Sequence, residues 1–407
     1  MTKALFVHSH RFTKSGDNYY SSDSFPKTVW SRYLEVFDEI VVLGRKDLTP
    51  NQDISNFSLT SRERVSFELI DYLESPVSGY IYKKRVIRDI KAVIEKHNIN
   101  AVIARLPSNI SNRAIDVCKE LNIPYAIEVV GCGYDAIYNY KFSPWYNIKN
   151  LGVKLLAPFS FKSMQFYVKD AKFAIYVTKE FLPKRYPVHK NAVVSYASNV
   201  ELPSFDDEVI NKHLSLLTTK RDYLSFGMIG NVDVHYKGYD IALKALSLIK
   251  DKIPNFKLHL VGGGVGDEVK KSAKELDMLD KLVFAGKLRS GDEVFNFLDT
   301  LDVYLHPSRT EGLPRALIEA MGRGCPCLAS NVGGIPELLE NEYLHKAEDY
   351  KTLSKQILKL VSSKDKLAKA AQTNFDKAKE YSVDVLSQRR NQFWGSFYQY
   401  VVKQKLK

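Results

Sequence analysis

Strand-like apolar runs alternate with stretches of helical periodicity along almost the whole chain. In the first half, ALFVHS (4–9), EIVVLGR (39–45), AVIARLP (101–107), YAIEVVG (125–131), FAIYVT (173–178) and NAVVSYAS (191–198) predict strands. In the second half, YLSFGMIG (223–230), FKLHLVGGG (256–264), KLVFAG (281–286), VYLHPS (303–308) and PCLASN (326–331) predict a further series. Helical segments such as GYDIALKALSLIK (238–250) and DEVFNFLDTL (292–301) fill the intervals. This alternation predicts α/β layers around parallel sheets. Two doubly wound, Rossmann-like sheets are expected in succession, facing a cleft at their strand ends, where such folds bind ligands.

The length of 407 residues supports two domains of roughly 200 residues each, since single cores stop growing at about 250–300 residues and longer chains divide. Residues 1–200 are read as the first domain and 201–384 as the second. The acidic, proline-containing stretch ELPSFDDEV (201–209) is the expected linker. The aromatic, helical end, about residues 385–407, is expected to pack back onto the first domain.

Charge narrows the possible partners. The net charge of +12 is uneven. Residues 1–200 carry 28 Lys and Arg against 19 Asp and Glu, residues 201–350 carry 18 against 24, and residues 351–407 carry 13 against 4. No zinc finger, RNP-like strand or basic recognition helix accompanies the excess, so no nucleic-acid partner is expected. The start, MTKALFVHSH, reads as a first strand rather than a signal peptide. No window approaches eighteen uninterrupted apolar residues, so no membrane span is expected. Cys118, Cys132, Cys325 and Cys327 lack paired metal-ligand spacing and read as buried thiols. No metal site is expected.

The chemistry concentrates in four strand-to-helix turns of the second half: GNVDVHYKG, VGGGVGDE, PSRTEGLPR and SNVGGIPE. Glycine lets backbone approach a ligand closely, and helix N-termini supply unpaired N–H groups with positive potential. Together these turns describe a site for a phosphorylated ligand. Neither the G-x-G-x-x-G dinucleotide fingerprint nor GxxxxGK[ST] is present. Lys237, beside Gly238 at a helix start, is the obvious cation for a diphosphate. In EGLPRALIEAM (311–321), Pro314 marks a helix start. Glu311 is then a loop acid beside the helix mouth, and Glu319 sits about one and a half turns inside, among core-type residues, where a carboxylate needs a partner.

The stretch HPSRTEGLPRALIEAMGRGCPCLASNVGGIPELL (306–339) resembles the signature of retaining GT-B glycosyltransferases of the large family-four group, with its E-x7-E motif and following glycine pair. KG at 237–238 and VGGG at 261–264 extend the resemblance over nearly all of the second half. WSRYLEVFDEIVVLGR, VIARLPS, IEVVGCGYDA and YVTKEFLPKRYP look like a subgroup that builds bacterial surface polysaccharides. The resemblance implies transfer of a hexosyl unit, with retention, from a UDP- or GDP-linked sugar to a glycan or lipid-linked glycan acceptor. It implies no cofactor. Glu319 would accept hydrogen bonds from ribose hydroxyls, and Glu311 would face the donor sugar. The N–H groups of Gly312 and Leu313 would cradle the diphosphate, Lys237 would neutralise it, and Gly333 and Gly334 would shape the neighbouring wall.

The sequence departs from this pattern in places. Asn231 stands where the family places an arginine six residues ahead of the lysine, so one phosphate cation is missing unless another residue replaces it, and Arg309 and Arg315 lie near enough in sequence to be candidates. Tyr134 and Asp135 stand where a histidine is common. Gly16 is the only glycine near the first strand. Gly16, Arg105, Glu128 and Asp135 are the acceptor-side candidates. No D-x-D triplet occurs, so cations and a helix dipole would hold the diphosphate without a metal. The basic, aromatic segment 147–177 fits equally an anionic membrane surface and an amphipathic helix packed on its own sheet. The expected location is the cytoplasm, with the inner face of the cell membrane if the first of these readings applies. Rival readings are a GT-B-shaped nucleotide-sugar epimerase or sugar phosphorylase, and a non-catalytic assembly subunit.

Overall fold

The computed structural model describes residues 1–22, 25–49, 53–55, 57–72, 81–138, 147–203, 205–219 and 221–405; the side chains of 147–153 also lie outside the description. The chain forms two units, one built from residues 1–137, 152–197 and 387–407, the other mainly from 198–386.

The first unit carries β1 (Lys3–Ser15), β2 (Asn18–Ser21), β3 (Glu39–Lys46), β4 (Ser58–Leu59), β5 (Val65–Ile70), β6 (Ala101–Leu106), β7 (Tyr125–Val129), β8 (Phe173–Tyr176) and β9 (Val193–Tyr196). Its parallel order is β5-β3-β1-β6-β7-β8-β9, with β2 and β4 added antiparallel beyond the bend in β1. Leu5, Val41 and Val102 of the central strands pack against Ile90, Val93 and Ala114 of the covering helices. Such strands are apolar on both faces because helices cover both. The helix Asn109–Leu121 begins where the Ser108 side chain accepts the Ser111 N–H at 3.2 Å. In the final helix, Val383–Lys405, Trp394 packs edge-on against Tyr33 at 5.3 Å and Phe397 contacts Phe173 at 5.2 Å.

The second unit carries β10 (Leu224–Ile229), β11 (Phe256–Val261), β12 (Leu282–Gly286), β13 (Val303–His306), β14 (Cys327–Ser330) and β15 (Leu344–His345). All are parallel, in the order β12-β11-β10-β13-β14-β15. This is the doubly wound 3-2-1-4-5-6 arrangement, whose chain reverses direction across the sheet between β10 and β13. Loops leaving those two strands therefore converge beside one crevice.

One expectation needs correction. The stretch 201–209 is no free linker: Leu202 is buried, bridges Ser382 and packs where Gly322 leaves room, and the helix Asp207–Thr218 begins within it. Gly16, an acceptor-side candidate from the sequence, is placed in a turn. It turns the exposed β1–β2 hairpin with φ +58°, a left-handed conformation that glycine adopts without strain.

Candidate active site at the switch point of the second sheet

The loop after β10 brings Lys237, and the loop after β13 brings Glu311, to the point where the strand order reverses. Lys237 Nζ donates to Glu311 Oε1 at 2.8 Å. His306, the last residue of β13, reaches the same oxygen with Nε2 at 3.0 Å. A carboxylate only accepts, so Nε2 carries the proton, and Nδ1 is left to accept from the Tyr304 hydroxyl at 3.3 Å. Both bonds land on Oε1. Glu311 Oε2 accepts no hydrogen bond among the described residues.

Burial alone would raise the Glu311 pKa, but the Lys237 charge and the His306 bond outweigh it and bring it to about 2. Burial works against the Lys237 ammonium as well, and the facing Glu311 charge reverses that, so its pKa is raised. His306 is lowered by burial despite the facing carboxylate, which keeps its imidazole neutral at neutral pH.

Pro314 takes the cap position, and the helix Arg315–Gly322 follows. The N–H groups of Gly312 and Leu313, just ahead of it, donate to nothing among the described residues. Glu319 lies on this helix between buried Ile318 and Ala320. Its carboxylate makes no hydrogen bond or ion pair among the described residues. Burial raises its pKa, Arg315 opposes that, and Glu201 adds to it.

Gly333 and Gly334 lie against the Glu311–Gly312 loop. Gly334 N–H donates to the Gly312 carbonyl at 2.7 Å, and Gly333 has φ +57° with an ideal Cβ position 2.0 Å from the Glu311 carbonyl oxygen. Gly333→Ala is therefore expected to displace the Glu311 loop, because both the conformation and the space exclude a methyl group. A fall in kcat of at least tenfold with an unchanged far-UV circular dichroism spectrum is the expected result; wild-type kcat would show that the loop position is not needed.

The two candidate replacement cations behave differently. Arg309, read from the sequence as one of them, is engaged through all five of its N–H donors. It bonds both oxygens of Asp240, both of Glu348, and the His235 carbonyl. It clamps the β10 and β13 loops together, with every N–H in use. Arg315 is exposed, has no ion pair among the described residues, and is near enough to act electrostatically on both Lys237 and Glu319. Asn231 is a turn former: its Oδ1 accepts the Asp233 N–H at 2.9 Å. Asp233 in turn accepts the N–H groups of Val265 and Gly266, so that part of the glycine-rich turn is closed by a carboxylate.

The charged acceptor-side candidates of the first unit are paired internally. Glu128 accepts from Tyr33 Oη at 2.7 Å and from Arg105 at 3.2 Å, so both its oxygens serve the core. Arg105 also lies 5.2 Å from the Phe25 ring, while its Nε is buried without a partner. Asp135 pairs with Arg185 at 3.1 Å. The Glu128 and Asp135 carboxylates are thus paired within the unit, while Arg105, bonded to Glu128 through one nitrogen, leaves its buried Nε without a partner.

His306, Asp240 and Glu348 were missed from sequence. The only signal for His306 was its place at the end of a strand that carries the loop acid. Among the described residues, no three His, Cys, Asp or Glu side chains gather to hold a metal ion.

Residues 217–377 match the family model described as glycosyl transferases group 1. The chain is similar to Protein CapJ of Staphylococcus aureus, 34% identical over 88% of this chain and 86% of that one. It is also similar to the UDP-Gal:alpha-D-GlcNAc-diphosphoundecaprenol alpha-1,3-galactosyltransferase of Escherichia coli, 23% identical over 74% of this chain and 78% of that one. Among solved structures it resembles Anabaena HepE in complex with UDP, with a TM-score of 0.63, 15% identity, and coverage of 97% of this chain and 100% of the other. The shared fold is GT-B.

Proposed function

The chain belongs to the group 1 glycosyl transferases, and on that premise we propose that it moves a hexosyl unit from a nucleotide-sugar to a lipid-linked glycan in the building of a bacterial surface polysaccharide, with retention of configuration. The observation that carries this reading is the one-sided fixation of Glu311. Lys237 and His306 hold Oε1, and Oε2 stays open beside the free N–H groups of Gly312 and Leu313.

Each group then has a task. Oε2 of Glu311 accepts from a hydroxyl of the donor sugar and orients the ring. Lys237 moves its ammonium from Glu311 to the diphosphate, while His306 keeps the carboxylate in place. Gly312 and Leu313 donate to the same diphosphate at a helix mouth, where the dipole favours negative charge. Arg315 is the second cation of this site in place of Arg309. Glu319 accepts from the ribose hydroxyls, which supplies the partner its buried carboxylate lacks. As the glycosidic bond to the diphosphate breaks, a diphosphate oxygen takes the acceptor hydroxyl proton on the face that the acceptor attacks, which gives retention. These donors meet the developing charge without a divalent ion.

The lipid-linked acceptor is supported by the diphosphoundecaprenol substrate in the name of the E. coli relative, and the polysaccharide context by the amylovoran biosynthesis glycosyltransferase AmsK of Erwinia amylovora. The uridine form of the donor is supported by the UDP bound to HepE. A thermal-shift panel with UDP, GDP, ADP and their sugars tests the reading. A ligand at a hundred times its Kd adds about 2.7 kcal/mol of apparent stability, so one nucleotide is expected to raise Tm clearly. No shift with any nucleotide would remove the donor site. Conversion of a nucleotide-sugar without acceptor would replace transfer by epimerisation.

A further inference from the structure

The helix Asn147–Lys169 of the first half presents an unusual outer face. From residue 154 onward, its buried side chains are Ala157, Met164, Tyr167 and Val168. Its exposed ones are Lys154, Leu155, Pro158, Phe159, Lys162, Phe166 and Lys169. At 3.6 residues per turn these seven positions fall within an arc of about 140°, directly opposite the buried four. Leu155 and Phe159 are each 67% exposed and Phe166 is 51% exposed. Every other described helix carries at most one large exposed hydrophobic residue.

The arrangement within that arc is ordered. Leu155, Phe159 and Phe166 line one edge, while Lys154, Pro158, Lys162 and Lys169 occupy the rest. The face runs for about 22 Å at 1.5 Å per residue. No acidic residue interrupts it. The first one, Asp170, lies beyond its end and is paired with Lys119 at 2.9 Å. Lys119 and Lys169 both stand over the Phe166 ring, at 5.4 and 5.7 Å. Four lysines therefore accompany three apolar side chains that project from a folded surface.

The structure assigns this face to the surface of an anionic phospholipid leaflet. The match is one of both chemistry and shape. Lysine ammoniums meet anionic headgroups at the level of the interface, and leucine and phenylalanine side chains reach the acyl boundary below them. A helix lying along the surface needs this combination and no membrane span, and no described helix is long and apolar enough to cross a membrane. The face is also part of a folded helix whose opposite side is already packed, so docking orders no new segment. The inference goes beyond the transfer reaction and stands on the surface alone, so its failure leaves the donor site untouched.

The test is co-sedimentation of the full chain with vesicles of phosphatidylcholine alone or with 30% phosphatidylglycerol. Binding to the anionic vesicles is expected, at least tenfold weaker in 0.5 M than in 0.05 M NaCl. The double variant Leu155→Ser with Phe159→Ser is expected to bind at least tenfold more weakly while keeping the wild-type Tm, because neither side chain is part of the core. In Phe159→Trp, brominated lipid is expected to quench the new indole. Absent binding, equal binding to neutral vesicles, or wild-type binding by the double variant would overturn the assignment. So would a wild-type dimer in sedimentation velocity that the double variant dissolves, since the face would then belong to a second copy of the chain.

Discussion

Replacing Lys237 by alanine is expected to destabilise the ligand-free protein by roughly 3–5 kcal/mol, the usual cost of removing one partner from a buried ion pair. Glu311 would be left with His306 alone, in a site where burial already works against its charge. The loss should depend on pH in a direction fixed by that pair. In the wild type the Glu311 pKa is lowered to about 2. Its ionised form therefore contributes stability that is full above the ordinary carboxylate range and is lost only as pH falls through about 2. Without Lys237, the Glu311 pKa rises, and His306 is freed of a charge that lowered its own. One of them then takes a proton at mildly acidic pH. The deficit should accordingly be large at pH 8 and smaller at pH 5, as read by urea denaturation. Pairing Lys237→Met with Glu311→Gln should recover much of the stability, since no buried charge then lacks a partner. Donor affinity behaves differently: it should fall about ten- to a hundredfold in Lys237→Ala, for a charge-assisted bond of roughly 1.5–3 kcal/mol, and the double substitution should not restore it. Equal stability of Lys237→Ala and wild type at pH 8 would show that the pair does not hold this loop.

The helix beginning after Pro314, the depth of Glu319 within it and the parallel strands around it were all legible, because each rests on a local period or a local steric preference. Glycines at 333 and 334 could be read as wall-forming from their motif, though not that the wall is the Glu311 carbonyl itself. What stayed hidden was pairing. Lys237 and Glu311 are 74 residues apart, and no local pattern says that a phosphate cation and a sugar-facing acid rest on each other when no ligand is bound. Arg309 failed for the same reason. Proximity in sequence made it a candidate, while Asp240 and Glu348, from two distant elements, engage its whole fork. In the first half, Arg105 and Glu128 lie at the ends of strands, as a ligand-binding pair would, yet adjacent parallel strands in register also place them side by side. The strand β5, VSFELI, was missed because it is only partly buried at the sheet edge, and β15 because it is two residues long.

Glu319 should answer substitution with the opposite sign. Its carboxylate is largely withdrawn from water and has no partner among the described residues, so Glu319→Leu is expected to stabilise the ligand-free protein by up to about 1 kcal/mol, a part of the desolvation penalty of an unsatisfied buried group. Because burial raises its pKa, the carboxyl is easiest to keep when protonated. Its contribution is most favourable below the ordinary carboxylate range and is lost as pH rises through the raised value. The advantage of the leucine variant should therefore grow with pH over that interval, the reverse of what Glu311 does. The same substitution should cost donor affinity about a hundredfold or more if two ribose hydroxyls donate to this carboxylate, at roughly 1.5–3 kcal/mol each. Those bonds favour the ionised form, so donor binding to the wild type should release protons when the pH is near the raised pKa, and should tighten as pH rises through it. Titration calorimetry in two buffers of different ionisation enthalpy would detect the release, and Glu319→Leu should abolish it. A variant that is less stable than wild type, or that binds nucleotide equally well, would remove Glu319 from the site. A variant that is more stable and yet fails to bind would show that the fold tolerates this carboxylate without a ligand because the ligand completes it.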